Sequence, residues 1–239
     1  RRFASSADPA SRSQYLQFCA EQAGWLEDYA LYTVLAAAQP GRSWSAWPDG
    51  LAAREPLALA RARSRLAAQL DACRFVQWCF YRQWQALREH AQARGIRMFG
   101  DTPIFVAYDS ADVWAHPGLF ELDDSGQPVA VAGVPPDYFS ATGQRWGNPL
   151  YRWEAHAATD FDWWRRRVGH ALDNFDLLRI DHFRGFAAFW RIPIHEETAI
   201  CGEWMPGPGE ALFHSLTSSL GPLPIVAEDL GTITSDIEH

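Results

Sequence analysis

The chain has 239 residues, 48% of them hydrophobic, and a formal net charge of −8. This length and composition suffice for one large domain or two small ones. All 21 basic residues are arginine, and the acidic balance argues against a nucleic acid or an anionic membrane as partner, because either would require a basic face.

The first part of the chain is predicted to be helical. Residues 11–38 have the pattern of two helices. A loop that contains tryptophan and proline, over residues 39–56, then leads into a long helical stretch. We treat residues 1–73 as a helical subdomain and residues 74–239 as a second segment of a different kind.

Three units in the second segment share one organisation, a helix followed by a short loop and an apolar strand. Apolar residues at helical spacing predict the helices at residues 74–94, 161–175 and 209–221. Each strand ends at or near a carboxylate, and these carboxylates are Asp101, Asp181 and Glu228. The repeated organisation indicates that the three strands belong to one sheet.

Helices that alternate with buried strands predict a parallel sheet. Carboxylates that recur at the carboxyl ends of the strands favour an α/β fold of the (β/α)8 TIM-barrel type with helical and loop insertions, since the active site of such a barrel lies at that face. A doubly wound sheet is the alternative, although the sequence contains no glycine-rich phosphate loop.

The segment from about residue 107 to residue 150 is predicted to be a long irregular loop with a hairpin around Ser125 and Gly126. Its aromatic content disfavours disorder. Aromatic planes in loops suit flat ligands such as sugar rings or nucleobases, although each one alone is better explained by packing on the core. The loop aromatics of the whole chain are Trp44, Trp47, Trp114, Tyr138, Phe139, Trp146, Tyr151 and Trp204.

The stretch LLRIDHFRGF, residues 177–186, places charged side chains in an otherwise apolar strand. Arg179 and Asp181 are two residues apart and therefore share one face of the strand. The arginine would keep Asp181 ionised, as a carboxylate nucleophile requires. A buried ion pair with a purely structural role explains the same spacing equally well.

Glu228 ends the next strand among apolar neighbours, which favour the protonated form that a general acid needs. A retaining glycosidase uses two carboxylates in such different environments, about 5–5.5 Å apart, and neighbouring parallel strands about 4.8 Å apart could hold them. A turn or helix-capping role is an equally good explanation for Glu228, and a turn role is the simpler one for Asp101. Metal binding is disfavoured because no ligand set has the required spacing.

The four cysteines, Cys19, Cys73, Cys79 and Cys201, are scattered along the chain. None has the close spacing of a zinc or redox site, which favours buried thiols in a reducing compartment. No apolar stretch is long enough to span a membrane, and the first residues lack the apolar core of a signal peptide. We therefore expect a cytoplasmic protein.

Four motifs, FGDTPIFVA, PPDYFSATGQRWGNPLY, LLRIDHFRGF and PIVAEDLG, resemble in sequence and order those of the amylomaltases. These are the 4-α-glucanotransferases, or disproportionating enzymes, of glycoside hydrolase family 77. The resemblance extends along nearly the whole chain and is weakest before about residue 20. It implies an α-amylase-related barrel, of which the chain holds about strands 3 to 5, and transfer of α-1,4-glucan segments to a glucan or glucose acceptor without a cofactor or metal.

The resemblance also implies roles for individual residues. Asp181 would be the nucleophile and Glu228 the acid/base of a retaining double displacement. The implied substrate-binding residues are Arg179 and His182 at the cleavage point, Asp101 in the same site, and Tyr138, Phe139, Gln144 and Trp146 on the loop that covers the glucan. Maltooligosaccharides and α-1,4-glucans would be the partners.

Two other functions use the same residues. An amylase-like hydrolase would employ the same pair of carboxylates but pass the glucan to water. A non-catalytic glucan-binding protein would use the aromatic loops for binding and the carboxylates only for structure. Product analysis separates the first from a transferase, and loss of binding rather than turnover in an Asp181 variant would indicate the second.

The ends of the chain carry a further expectation. The family has a third catalytic carboxylate in a His-Asp-Asn motif, which this sequence lacks. Ser235 and Glu238 form a helix capping box, but the sequence stops where the helix should continue. We expect a central fragment of a longer enzyme that is inactive and poorly folded alone, since an open set of barrel strands leaves unpaired edges.

Overall fold

The computed structural model describes residues 8–48 and 50–228, so the capping box predicted at residues 235–238 lies outside the described residues. The helices are α1 (Pro9–Glu21), α2 (Ala23–Ala38), α3 (Pro56–Arg65), α4 (Ala67–Gln92), α5 (Ala111–Ala115), α6 (Trp153–Ala157), α7 (Asp162–Asn174) and α8 (Glu210–Leu220). The strands are β1 (Phe99–Pro103), β2 (Ala130–Val134), β3 (Gln144–Pro149), β4 (Leu177–Asp181), β5 (Ala188–Pro193), β6 (Glu203–Pro206) and β7 (Ile225–Ala227).

The chain divides into two compact units. The first contains residues 1–89 and 109–115, and the second contains residues 90–108 and 116–239. Residue 73 lies inside helix α4, which continues through it. The domain boundary inferred from the sequence at that residue stays a prediction.

The first unit is helical, and the two helices predicted over residues 11–38 are confirmed as α1 and α2. The side chain of Asp8 caps α1 by accepting the backbone N–H of Ser11 at 3.0 Å, and a proline follows in the first turn. Leu26, Leu31 and Leu35 of α2 are almost fully buried. The unit is therefore organised around an apolar face of α2.

Buried tryptophans fix the loop over residues 39–56 within the first unit. Trp47 contacts Trp114 edge to face, with ring centroids 5.5 Å apart, and the Trp114 indole N–H donates to the carbonyl of Leu51 at 2.9 Å. The Arg54 guanidinium lies 4.2 Å above the Trp114 ring and pairs with Asp28 at 2.7 Å. These loop aromatics are core residues, so the sequence-based suggestion that they suit a ligand is wrong for them.

The second unit contains the predicted parallel sheet. Its three strands have the order β1-β4-β7, and each pair is parallel, which confirms an α/β organisation. The strand order follows the chain order, and a helix, α4, α7 or α8, precedes each of the three strands in the chain. Within the described residues the three strands do not close into a barrel.

A four-stranded antiparallel sheet, with the order β3-β2-β5-β6, is also present in the second unit and was not predicted. The expected irregular loop over residues 107–150 contains α5 and two of these strands, so that prediction is wrong in part. The predicted turn is confirmed, since the Asp123 carboxylate accepts the backbone N–H groups of Ser125 and Gln127 and Gly126 has a φ of 78°. β2 is short and apolar, β3 is polar and contains a glycine, and the pairing of β2 with β5 joins segments that are distant in sequence, so the local pattern contained no clear strand signal.

His156, in α6, is completely buried in an aromatic cluster around Tyr151. Its Nε2 lies 3.2 Å from the carbonyl oxygen of Leu119, and within the described residues its Nδ1 has no hydrogen-bond partner. Burial lowers the pKa of His156 to about 4. The imidazole is therefore neutral in the folded protein at neutral pH.

We expect the free energy of unfolding to fall as the pH drops from about 6.5 to about 4. In this range His156 binds a proton in the unfolded state but stays neutral in the folded state, where it is buried. The contribution of His156 to this loss is on the order of 3 kcal/mol. Chemical denaturation at pH 7 and pH 4.5 measures the loss, and His156→Phe should make the pH dependence shallower without removing it, because burial also lowers the pKa of His182 to about 4. His195→Gln is the matched control, since the His195 side chain is 77% exposed. An unchanged slope in His156→Phe would contradict the prediction.

Candidate active site

The carboxyl ends of β1, β4 and β7 bring the three predicted carboxylates to one edge of the parallel sheet. In the β1–β4 register Asp101 is opposite Arg179. In the β4–β7 register Arg179 is opposite Val226, and the backbone N–H of Glu228 donates to the carbonyl of Ile180 at 3.1 Å. Because side chains alternate along a strand, Asp101, Arg179 and Asp181 share one side of the sheet, and Glu228 follows Val226 on that side.

Arg179 bridges two of the carboxylates. Its Nη1 lies 2.8 and 2.9 Å from the two carboxylate oxygens of Asp101, and its Nη2 lies 2.7 Å from Oδ1 of Asp181. These anionic partners raise the pKa of Arg179, the hydrogen bond to Asp101 being the largest cause. One guanidinium therefore sets the relative position of two carboxylates on neighbouring strands.

Arg179 and the two carboxylates that it bridges are partly exposed to solvent. The side chains of Asp101, Arg179 and Asp181 are 64%, 30% and 50% exposed. Exposed ion pairs contribute little to stability, because water and salt screen them. This exposure weakens the explanation of the pair as a buried structural element and leaves the carboxylates accessible to a ligand.

His182, directly after β4, contacts Glu228 through its backbone. Its φ of 53° and ψ of 46° place it in the left-handed region, and its N–H donates to Oε2 of Glu228 at 3.0 Å. This conformation is uncommon for a residue other than glycine and recurs at functional sites. Sequence reasoning identified His182 as a candidate but contained no signal for this backbone contact.

The imidazole of His182 is largely buried, and burial lowers its pKa to about 4. The nearby charge of Arg184 acts in the same direction. Within the described residues its Nε2 is buried without a hydrogen-bond partner. The imidazole is therefore neutral at neutral pH, and a buried ring nitrogen without a partner is uncommon in a folded protein.

The loop aromatics fall into two groups. Trp146 contacts the His182 ring edge to face at 4.9 Å, and its indole N–H donates to Oε1 of Gln144 at 3.0 Å, so the structure brings both predicted loop residues to the site. Tyr138 and Phe139 are 98% and 91% exposed. Their turn is held by Asp137, whose carboxylate accepts the N–H of Phe139 at 2.8 Å. These two rings protrude into solvent.

The described residues contain no cluster that could hold a metal ion, no membrane-spanning helix and no disulfide bond. Residues 8–48 and 50–228 contain no group of three His, Cys, Asp or Glu side chains that could hold a metal ion. None of the described helices has the length and hydrophobicity needed to cross a membrane. The four cysteines are free thiols, three of them half-buried and Cys201 exposed.

Several known proteins are similar to this chain in sequence. The chain is 52% identical over 238 residues to a 4-alpha-glucanotransferase of Thermus thermophilus and 48% identical over 238 residues to one of Synechocystis. It is 46% identical over 213 residues to a chloroplastic/amyloplastic 4-alpha-glucanotransferase of Solanum tuberosum. These alignments cover 100%, 99% and 89% of the chain but 48%, 47% and 37% of the relatives. The chain thus spans about half the length, or less, of these relatives.

Solved structures agree with the sequence matches. An amylomaltase from Streptococcus agalactiae in complex with acarbose superposes with a TM-score of 0.92 at 40% identity, over 97% of this chain and 47% of that one. An amylomaltase from Corynebacterium glutamicum, at 20% identity, shares the fold with a TM-score of 0.74, over 97% of this chain and 30% of that one. The sequence model of the family described as 4-alpha-glucanotransferase matches residues 1–239. The chain therefore belongs to glycoside hydrolase family 77, the 4-alpha-glucanotransferases.

Proposed function

We propose that the protein transfers segments of α-1,4-glucans to an acceptor glucan or glucose by a retaining double displacement. The observation that carries the proposal is the Arg179 bridge between Asp101 and Asp181, with Glu228 on the next strand at the same edge. The family and its close relatives support it, as does a relative's structure in complex with acarbose. Maltooligosaccharides and α-1,4-glucans are the proposed substrates.

In the first step the Asp181 carboxylate attacks the anomeric carbon while the bond to the leaving sugar oxygen breaks. Arg179 holds Asp181 in place through one carboxylate oxygen, Oδ1, and the other oxygen, Oδ2, is the proposed attacking atom. Glu228 protonates the leaving oxygen. The His182 N–H holds the Glu228 side chain at this end of the sheet by donating to its Oε2.

In the second step an acceptor hydroxyl attacks the glucosyl ester of Asp181, and Glu228 takes up the proton of that hydroxyl. Two displacements at the same carbon retain its configuration. His182, neutral at physiological pH, and Arg179 are proposed to hold the sugar at the cleavage point, and Asp101 to position Arg179. Trp146, beside His182, is proposed to stack on the glucan.

The exposed rings of Tyr138 and Phe139 are proposed to fold over the bound glucan, with Gln144 nearby. Covering the site excludes water and favours transfer to a hydroxyl over hydrolysis. We also propose that β1, β4 and β7 are neighbouring strands of a TIM-type barrel, since they are parallel, follow the chain order and end in the site residues. A doubly wound sheet would instead reverse its strand order at the ligand crevice. A cytoplasmic location stays a prediction.

The test of the activity is redistribution of maltotriose. Protein expressed from the full reading frame that contains this sequence should convert maltotriose to glucose and to maltooligosaccharides longer than the substrate, measured by chromatography. The same incubation with Tyr138→Ala should raise the ratio of hydrolysis to transfer, because the loop covers the site less well. Products that are all shorter than maltotriose would favour the hydrolase and contradict transfer.

A further inference from the structure

Arg167 of α7 reaches the carboxyl end of β1, where it contacts backbone rather than a carboxylate. Its Nη2 donates to the carbonyl of Pro103 at 2.6 Å and to the hydroxyl of Thr102 at 3.2 Å. Its Nη1 donates to the carbonyl of Ile104 at 3.3 Å and contacts the Tyr151 hydroxyl oxygen at 3.0 Å. The guanidinium therefore holds the segment that directly follows Asp101.

The chemistry of this contact requires arginine. A planar guanidinium with donors in a fixed fork can reach two successive carbonyls at once, whereas an ammonium is a point donor. The Arg167 guanidinium carbon also lies 5.2 and 5.0 Å from the ring centroids of Trp163 and Trp164, which limits its movement. Among the described residues no ion pair involves Arg167, so its hydrogen bonds serve the end of the strand.

The segment that Arg167 holds is connected to both sides of the candidate site. The backbone N–H of Ile104 donates to the carbonyl of Asp181 at 3.3 Å, and Asp101 lies on the same strand end as Pro103. A shift of this segment would therefore displace the Asp101 side of the Arg179 bridge and the backbone of Asp181 together.

Tyr151 links the residues after β1 to β3, the strand that contains Trp146. Its hydroxyl donates to the carbonyl of Ile104 at 2.7 Å, and its ring stacks on Phe105 with centroids 5.8 Å apart. Tyr151 follows β3 by two residues, and β3 contains Trp146. Asn148 of the same strand donates to the carbonyl of Val106 at 2.9 Å. The residues after β1 are thus the point at which β3 and the catalytic strands meet.

We propose that Arg167 is a positioning residue that, together with Tyr151, fixes the residues after β1 and so aligns Asp101, Asp181 and the Trp146 loop. Its role in turnover rests on the proposed function, whereas its role in ordering residues 102–104 does not. A small displacement of reacting groups by a distant substitution costs about 10²-fold in rate, which sets the expected size of the effect.

The experiment compares Arg167→Met and Arg167→Lys with Arg166→Met, a matched control on the same helix whose side chain is 55% exposed. Arg167→Met should lower kcat for maltotriose about 10²-fold with KM within about threefold of wild type. The kcat of Arg167→Lys should lie between those of Arg167→Met and wild type, and the kcat of Arg166→Met should equal that of wild type. Unchanged kcat in Arg167→Met, a rise in KM alone, or an equal loss in Arg166→Met would overturn the proposal.

Hydrogen exchange gives a second readout that does not depend on activity. Peptides that cover residues 99–106 should exchange faster in Arg167→Met than in Arg166→Met, and unchanged exchange would overturn the proposal. If Arg167→Met does not fold, Tyr151→Phe tests the proposal instead, since this substitution removes only one hydroxyl. It should also speed the exchange of residues 99–106 and lower kcat. Wild-type protein without transfer activity would contradict the proposed function, while the exchange result would still test the positioning role.

Discussion

Asp181→Asn is expected to abolish glucan transfer, with a loss in kcat of roughly 10⁴-fold or more. An amide cannot form the glucosyl ester, so the first displacement has no nucleophile. The substitution has almost the same shape, and its amide oxygen can still accept the hydrogen bond from Arg179 that now holds Oδ1 at 2.7 Å. The fold should therefore survive, and the loss should fall on kcat.

A fluorinated glucosyl donor tests the same residue directly. Such a donor should trap the covalent intermediate, and mass spectrometry of the digested protein should find the sugar on the peptide that contains Asp181. The matched control is Asp124→Asn, which changes an exposed carboxylate in a turn outside the site. A label on another carboxylate, an inverted product, or an Asp181→Asn variant within tenfold of wild type would rule out the assigned role.

The three helix–strand–carboxylate units were predictable because their signals are local. Each helix has its own apolar periodicity, and each apolar strand ends in a charged residue. The pairing of Arg179 with Asp181 follows from their spacing alone, since residues two apart in a strand share a face. The amino-acid sequence is therefore sufficient to place that part of the site.

The antiparallel sheet and the contacts of the site across the chain were not predictable in the same way. β2 pairs with β5, although some 50 residues of chain lie between the two strands. Neither short segment has a sequence pattern that predicts its partner. The second partner of Arg179, Asp101, comes from a strand 78 residues away. His182 adopts a left-handed conformation that tertiary contacts impose.

The loop tryptophans show a limit of reasoning from residue type. Trp47 and Trp146 both lie in polar, glycine-containing stretches, yet Trp47 is 4% exposed and Trp146 is 37% exposed. The difference arises from what each loop meets in the fold, Trp114 in one case and His182 in the other. A tryptophan in a loop predicts a large contact, but only the fold determines whether that contact is the core or a ligand.

Glu228→Gln is expected to lower kcat for maltotriose by about 10² to 10⁴-fold, because neither displacement then has its proton donor or acceptor. Glutamine keeps the shape, and its amide oxygen can still accept the His182 N–H that now lies 3.0 Å from Oε2. The loss should depend on the leaving group. An α-maltosyl fluoride donor needs no protonation, so its first displacement should be largely preserved in the variant.

Azide then separates an acid/base from a merely structural carboxylate. A small anion can attack the glucosyl ester of Asp181 without a general base, and two displacements give an α-glycosyl azide. We expect azide to accelerate fluoride release by Glu228→Gln and to yield that α-product, with no such rescue in Glu197→Gln, an exposed control. Because the glutamine preserves the contact with His182, a structural role predicts nearly wild-type rates with both donors. An equal loss with both donors and no azide product would exclude Glu228 as the acid/base and leave the proton transfer to another group.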